Sequence, residues 1–327
     1  MESRRRNHYD VSNKVCIADP DAVRQEVERL IAAHHPRVDR AVLATAFHDF
    51  TRLHAGTLPG YAAADTNYHD AQHSLDCTLA AARMIEGHER TATGNEALGA
   101  RRAVLGVLIA LFHDAGYVRR RGDAAANGAA YTLTHVQRSA EFLGVMLPKL
   151  GYGDEAELAG EIVHFTGFER ALDAIDVQDE RDRQLGFMIA SADLLAQTAD
   201  RCYLEKCRDF LFPEFEAAGL AGASVPGGQT PLYRDRHDLL NSTPEFNARI
   251  WADRLDGYFG GIHRHLSQHF SGTASGRNPY VDCIHDNLRR IGRSIDRGHF
   301  RDLTRHPRAI GAACMRSRLD SARQLAA

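Results

Sequence analysis

Several features are missing from this 327-residue chain, and each absence removes a class of protein. Its six cysteines, Cys16, Cys77, Cys202, Cys207, Cys283 and Cys314, include no C-x-x-C pair, which excludes a zinc ribbon and argues against a secreted disulfide framework. No stretch approaches the roughly 20 apolar residues that a membrane-spanning helix needs. The opening Met1 to Arg6 is basic and polar with no apolar run behind it, so no secretory leader is expected. Glycine-rich phosphate loops, dinucleotide fingerprints and internal repeats are absent, and strand-like alternation is scarce. With a net charge of −3 the chain has no general polyanion-binding character. These absences point to a soluble cytoplasmic protein with no membrane partner and no strong nucleic-acid signal; a homo-oligomer is left open.

What is present is an ordinary globular composition, 44% hydrophobic and 25% charged, on a chain long enough to bury roughly 75% of its unfolded surface. Apolar residues recur at three- and four-residue spacing, so the expected fold is all-α. Helices are predicted at about 20–35, 39–53, 72–86, 100–114, 132–147, 180–210 and 244–268. Asp154 and Glu157 resemble a capping box opening another helix that runs through Ile162. Loops are expected at 118–130, 217–232 and 271–279. The 100–114 helix is apolar on nearly every face and belongs in the centre of the core. The expected organisation is an N-terminal helical segment (1–40), a helical core (41–210) and a C-terminal helical extension (211–327) that can serve as a lid. From Val281 onward, ten arginines face five aspartates and no glutamate, a pattern read as a solvated helix face, with attraction of phosphate as the alternative.

Eighteen histidines are the unusual number, because histidine is the commonest metal ligand and the acid/base group of neutral pH. His-Asp dipeptides occur at 48, 69, 113, 237 and 285. Only His113-Asp114 closes a strongly apolar helix, where an unpaired imidazole and carboxylate would cost several kcal/mol; a metal ion satisfies both. At least three of the other pairs are expected at the surface. Asp193, in Met-Ile-Ala-Ser-Ala-Asp-Leu-Leu-Ala, is a second carboxylate among residues that expect to be buried; Asp200 is a weaker candidate. His69 and His73, four apart, would project from one helical face. His135 and His164 sit beside apolar residues on predicted helices. Asp70 and Asp76 are expected as exposed carboxylates, the alternative being that one of them orients a ligand imidazole, and His34-His35 before Pro36 as helix caps.

Read in order, His73, His113-Asp114, His135, His164 and Asp193 resemble the motif series of the HD-domain superfamily of helical metal-dependent phosphohydrolases, over about residues 65–205. Tyr-His-Asp-Ala-Gln-His-Ser-Leu-Asp at 68–76 looks like the cyclic-nucleotide phosphodiesterase segment in which the first histidine is the general acid and the second a metal ligand. The resemblance implies an HD-type bundle with two divalent ions (Mn²⁺, Fe²⁺, Mg²⁺ or Zn²⁺). His73, His113, Asp114 and Asp193 would hold the first, Asp114 would bridge, and His135 and His164 would hold the second. His69 would be the acid. The implied substrate is a small phosphoester, foremost a phosphodiester of a cyclic nucleotide. The HD-GYP branch carries Gly-Tyr-Pro, whereas Phe-Thr-Gly-Phe-Glu follows His164 here, which speaks against cyclic dinucleotides. A similar ligand series also serves mixed-valent di-iron oxygenases, and a non-catalytic regulatory module is the third alternative. Phosphate would be held by the metals and by Arg119, Arg120 or Arg170. The aromatic residues between 212 and 280 are expected mainly in packing.

Overall fold

The computed structural model describes residues 6–223, 230–272 and 278–326. Residues 1–5, where no leader was expected, and parts of the loops at 217–232 and 271–279 lie outside the described residues. Every element described is helical; β-type pairing is limited to isolated bridges such as Tyr61 with Arg120. No described helix is long and apolar enough to cross a membrane.

Local chemistry sets the first helices. Asp19 caps α1 (Pro20–His34) by accepting from the Asp21 amide, with Pro20 preset for the first turn. Asp39 caps α2 (Arg40–Ala55) in the same way. His35 caps the C-terminus of α1 as expected, its amide donating to the Ile31 carbonyl at 2.9 Å, with His34 in the last turn. Their rings also reach Glu86 and Glu89 at 3.4 and 3.5 Å.

The centre of the molecule is α3 (Ala71–Glu89), with α4 (Gly99–Phe112) and α7 (Glu180–Ala199) packed against it. The predicted apolar stripe on α3 is only part of the truth, because every residue from Ala71 to His88 is buried. Its polar side chains are matched from distant segments: Arg83 donates to Asp10 at 2.7 Å and to the Tyr280 hydroxyl at 3.1 Å. Glu86 accepts from His269 at 2.7 Å. Gly87 permits close crossing by α11 (His265–Phe270), since a side-chain carbon there would overlap the His265 carbonyl. On α4, Ala103 to Phe112 are all buried, as expected; each fully buried leucine or isoleucine side chain contributes roughly 1.5–3 kcal/mol.

Around this centre lie α5 (His135–Lys149) and α6 (Ala156–Val163). The expected capping box is not formed: Asp154 lies in a 3₁₀ turn, Gly153–Glu155, and α6 begins after it without a side-chain cap. The long helix predicted at 180–210 breaks at Asp200, whose carboxylate accepts from the Cys202 amide at 2.6 Å and pairs with Lys206 at 2.7 Å. Beyond the break come α8 (Tyr203–Lys206), a π-turn and α9 (Phe212–Ala217). The helix expected at 244–268 starts earlier, as α10 (Arg236–Arg249), and passes into a wide π-turn over Ile250–Tyr258. Gly260 and Gly261, both at positive φ, separate it from α11. The chain ends in α12 (Pro279–Asp296) and α13 (Ala312–Ala326). One apolar cluster joins residues from Val11 to Leu319, while a smaller one gathers Tyr68, Leu204, Phe212, Leu240 and Ile291.

Candidate metal centre

Three helices deliver the buried donors. Asp70 caps α3 by accepting from the His73 amide at 3.0 Å, while its other oxygen takes the Ile310 amide at 2.6 Å. Asp70 and Asp76 are therefore buried, not exposed. Because Asp70 is extended (φ −97°, ψ 176°), His69 precedes the helix and does not share a helical face with His73. Their rings nevertheless come within 5.9 Å, edge to face. His113 and Asp114 follow the last turn of α4, and Asp193 comes from the middle of α7. Gly116 lets the turn after Asp114 press on the start of α5, where a side-chain carbon would collide with the His135 carbonyl.

His73 Nε2 stands 3.2 Å from Asp114 Oδ2 and 3.2 Å from Asp193 Oδ1. His113 Nε2 is 3.3 and 3.6 Å from the same two oxygens. Donors at about 2.0–2.1 Å from one cation lie about 2.8–3.0 Å apart in octahedral arrangements and about 3.3–3.4 Å apart in tetrahedral ones. The spacing here is of that size. His113 Nδ1–H donates to the Ala110 carbonyl at 2.8 Å, directing Nε2 inward. His113 Nε2, Asp114 Oδ2 and Asp193 Oδ1 are buried with no aligned hydrogen-bond partner. Such atoms are costly unless something else satisfies them, and a divalent cation fits nitrogen and carboxylate donors of this kind.

The electrostatics agree. Burial opposes charge on His73, but Asp114 and Asp193 overcome it and raise the imidazole to about 9. His113 is likewise raised despite burial, by Asp114, Cys77 and Asp193. Burial would raise both carboxylates, yet these histidines hold Asp114 and Asp193 well below the usual range. The two buried carboxylates thus make a site that calls for positive charge.

The seven sequence-predicted residues do not all converge. Among the described residues, the donor groups that close to within 4.8 Å are His73 with His113 and Asp114, and Cys77 with His113 and Asp193. His135 and His164 stand outside both. His135 opens α5, with Nδ1–H donating to Thr132 at 2.7 Å and Nε2 3.7 Å from Asp114 Oδ1. His164 lies beyond the end of α6, and its Nδ1 meets Glu169 Oε1 at 3.0 Å. Asp200, the weaker carboxylate candidate, is spent on Lys206. At the surface, His48, His237 and His285 are exposed, as their polar contexts suggested.

His69 is held from the other side of the sequence. Its Nδ1 lies 2.6 Å from Glu214 Oε2, while Glu214 Oε1 accepts from the Asn67 and Tyr68 amides at 2.7 and 2.6 Å. Tyr117 stacks on His69 at 4.1 Å and on His135 at 4.3 Å. Sequence reasoning missed Glu214, Cys77 and Tyr117. Glu214 carried the same signal as Asp193, an acidic residue in an apolar run, Leu-Phe-Pro-Glu-Phe. Cys77 was dismissed because no second cysteine lay near it; burial raises its thiol to about 11.

A cavity of about 630 Å³ opens over His69, His73, Asp114, His135 and Asp193. Arg119, Arg120 and Arg170 do not line it; they pair with Asp65, Glu141 and Glu161. The arginines that do are Arg249 and Arg254. Several aromatics of the C-terminal region, including Phe215, Tyr233 and Phe246, line the cavity as well as packing. No family model matches this chain, and no curated protein or solved structure matches it. A buried histidine, aspartate and cysteine cluster able to hold metal is what the geometry establishes.

Proposed function

We propose that the chain is a metal-dependent phosphohydrolase of the HD-domain type, cleaving a phosphoester, foremost a phosphodiester. The observation that carries this reading is the meeting of His113 Nε2, Asp114 Oδ2 and Asp193 Oδ1, unsatisfied and buried, beside a histidine outside the set that a carboxylate orients. His73, His113, Asp114 and Asp193 would hold a divalent cation, and His135 faces the second oxygen of Asp114 on the side where another could bind. A bound divalent cation lowers the pKa of water toward neutrality and neutralises phosphate charge.

The protein's own residues account for the rest. Glu214 accepts from His69 Nδ1–H and fixes the ring, leaving Nε2 toward the cavity and 3.4 Å from the Tyr117 hydroxyl. As water adds to phosphorus and the P–O ester bond breaks, the departing alkoxide takes a proton from His69 Nε2, help that is typically worth ~10²–10⁴-fold. Tyr117 packs the His69 ring against α5 and keeps it from turning away.

Purified protein given Mn²⁺ is expected to hydrolyse a generic phosphodiester such as bis(p-nitrophenyl) phosphate, and His113→Ala to lose both activity and metal. Turnover that requires oxygen and leaves phosphoesters intact would overturn this reading in favour of a di-iron oxygenase. Metal retention with neither activity would support a regulatory module.

A further inference from the structure

The cavity over the metal centre is polar at one end and apolar at the other. Its inner end presents the histidines and aspartates; the opposite wall comes from the segment after α7 and includes Leu211, Phe215, Leu239, Phe246 and Ile250. Two polar side chains on that wall are turned back to their own helix: Ser242 Oγ donates to the Asp238 carbonyl at 2.9 Å, and Thr243 Oγ1 to the Leu239 carbonyl at 3.2 Å; the charged side chains that share the lining there are Arg249 and Asp253. Arg254 donates to the Phe165 and Gly167 carbonyls at 3.3 and 2.7 Å. Phe215 and Tyr233 stack on each other, 6.0 Å apart and 12° from parallel, and hold open no slot for a flat base. Leu211, Phe215, Leu239, Phe246 and Ile250 offer no partner to the polar edges of a nucleobase.

The mouth continues the pattern. Leu133, Phe168 and Leu232 line it and are 62, 64 and 62% exposed. Exposed apolar side chains are ordinarily scattered, whereas a group at one opening marks a binding surface. The cavity volume is that of a small-molecule site.

From this division we infer that the ligand of the site is an amphiphile, with a phosphoryl head at the histidine and aspartate end and an extended hydrocarbon body along the 211–250 wall. The inference rests on the phosphohydrolase reading for the head, and on the wall and mouth for the body. It replaces a nucleotide by the phosphoester of a hydrophobic alcohol.

The test uses the full chain with Mn²⁺, titrated calorimetrically with n-alkyl phosphonates from ethyl to dodecyl below their micelle-forming concentrations, and with adenosine monophosphate. Kd is expected to tighten roughly fourfold per added methylene, as burial of a methylene requires, until the wall is covered. The variants Phe246→Ser and, at the exposed mouth, Phe168→Ser should flatten the series. A flat series in the unaltered protein, or tighter binding of adenosine monophosphate than of dodecyl phosphonate, overturns the inference. Phosphonates are not hydrolysed, so the two readings fail separately. Chain-length dependence without cleavage of the matching alkyl phosphate monoesters or diesters supports the amphiphile and removes the hydrolase. Cleavage with a flat series does the reverse. Comparing the same alkyl phosphates free and embedded in phosphatidylcholine vesicles tells a dissolved source from a membrane one.

Discussion

His69 Nδ1 and Glu214 Oε2 lie 2.6 Å apart although 145 residues separate them in the chain. Glu214 also accepts two backbone amides just before α3, so one carboxylate fixes both the imidazole and the strand of chain that carries it. Through this contact the C-terminal third completes the proposed acid.

Replacing Glu214 by Gln should therefore lower kcat while leaving bound metal unchanged. The loss is expected to be smaller than that of His69→Ala, which forfeits the ~10²–10⁴-fold contribution of a general acid. Esters with poor leaving groups should suffer most. A leaving-group series, with metal content measured on each variant, checks both statements.

Removing a donor from the buried cluster should act on metal directly. Asp193→Asn or His113→Ala is expected to weaken Mn²⁺ binding by more than about 100-fold, since loss of an outer-sphere partner alone costs 10–100-fold. Isothermal titration on the metal-stripped protein reads the change. Unaltered affinity in both variants would place the metal elsewhere.

Cation binding should also tighten as pH rises. Asp114 and Asp193 hold His73 at about 9, so metal must displace its proton at neutral pH. Apparent Mn²⁺ affinity is expected to climb from pH 6 toward about 9, with proton release detectable in buffers of different ionisation enthalpy.

His54 predicts a loss of stability in mild acid. Burial on the inner face of α2 lowers it from 6.5 to about 4, so the unfolded chain takes up a proton near pH 6.5 that the folded protein refuses until about 4. Stability present above pH 6.5 is lost as pH falls through this window, by about 3 kcal/mol for such a shift. Urea midpoints at pH 7 and 4.5 should differ less in His54→Phe than in the unaltered protein.

The Asp10 and Arg83 pair makes a separate claim. Both side chains are buried, and Asp10 is held at about 2, burial being outweighed by Arg83 and by Ser12 and Val15. Asp10→Ala leaves a guanidinium inside α3's packing without its carboxylate, a change expected to cost about 3–5 kcal/mol. Thermal unfolding should reveal it with metal bound or stripped.

Several of these features were legible in one dimension. Helical periodicity alone determined the all-α architecture, because a 3.6-residue apolar repeat can bury itself in no other regular way. The apolar run ending in His113-Asp114, and Asp193 among leucines and alanines, announced buried charge because local sequence suffices to say that a segment is inside. Other signals were ambiguous for the same local reason. The spacing of His69 and His73 suggested one helical face, but Asp70 starts the helix between them. Asp154 offered a cap that a 3₁₀ turn displaced.

What only the tertiary structure decided is which side chains meet. Glu214 reaches His69, Cys77 joins His113 and Asp193, and Asp10 and Tyr280 supply the partners that let Arg83 sit within a fully buried α3. His135 and His164, alike in sequence context, end with different partners, one facing Asp114 and the other turned to Glu169. Sequence patterns record how a residue relates to neighbours a turn or two away. Contacts across tens or hundreds of residues depend on how whole helices cross, and the site is assembled from those crossings.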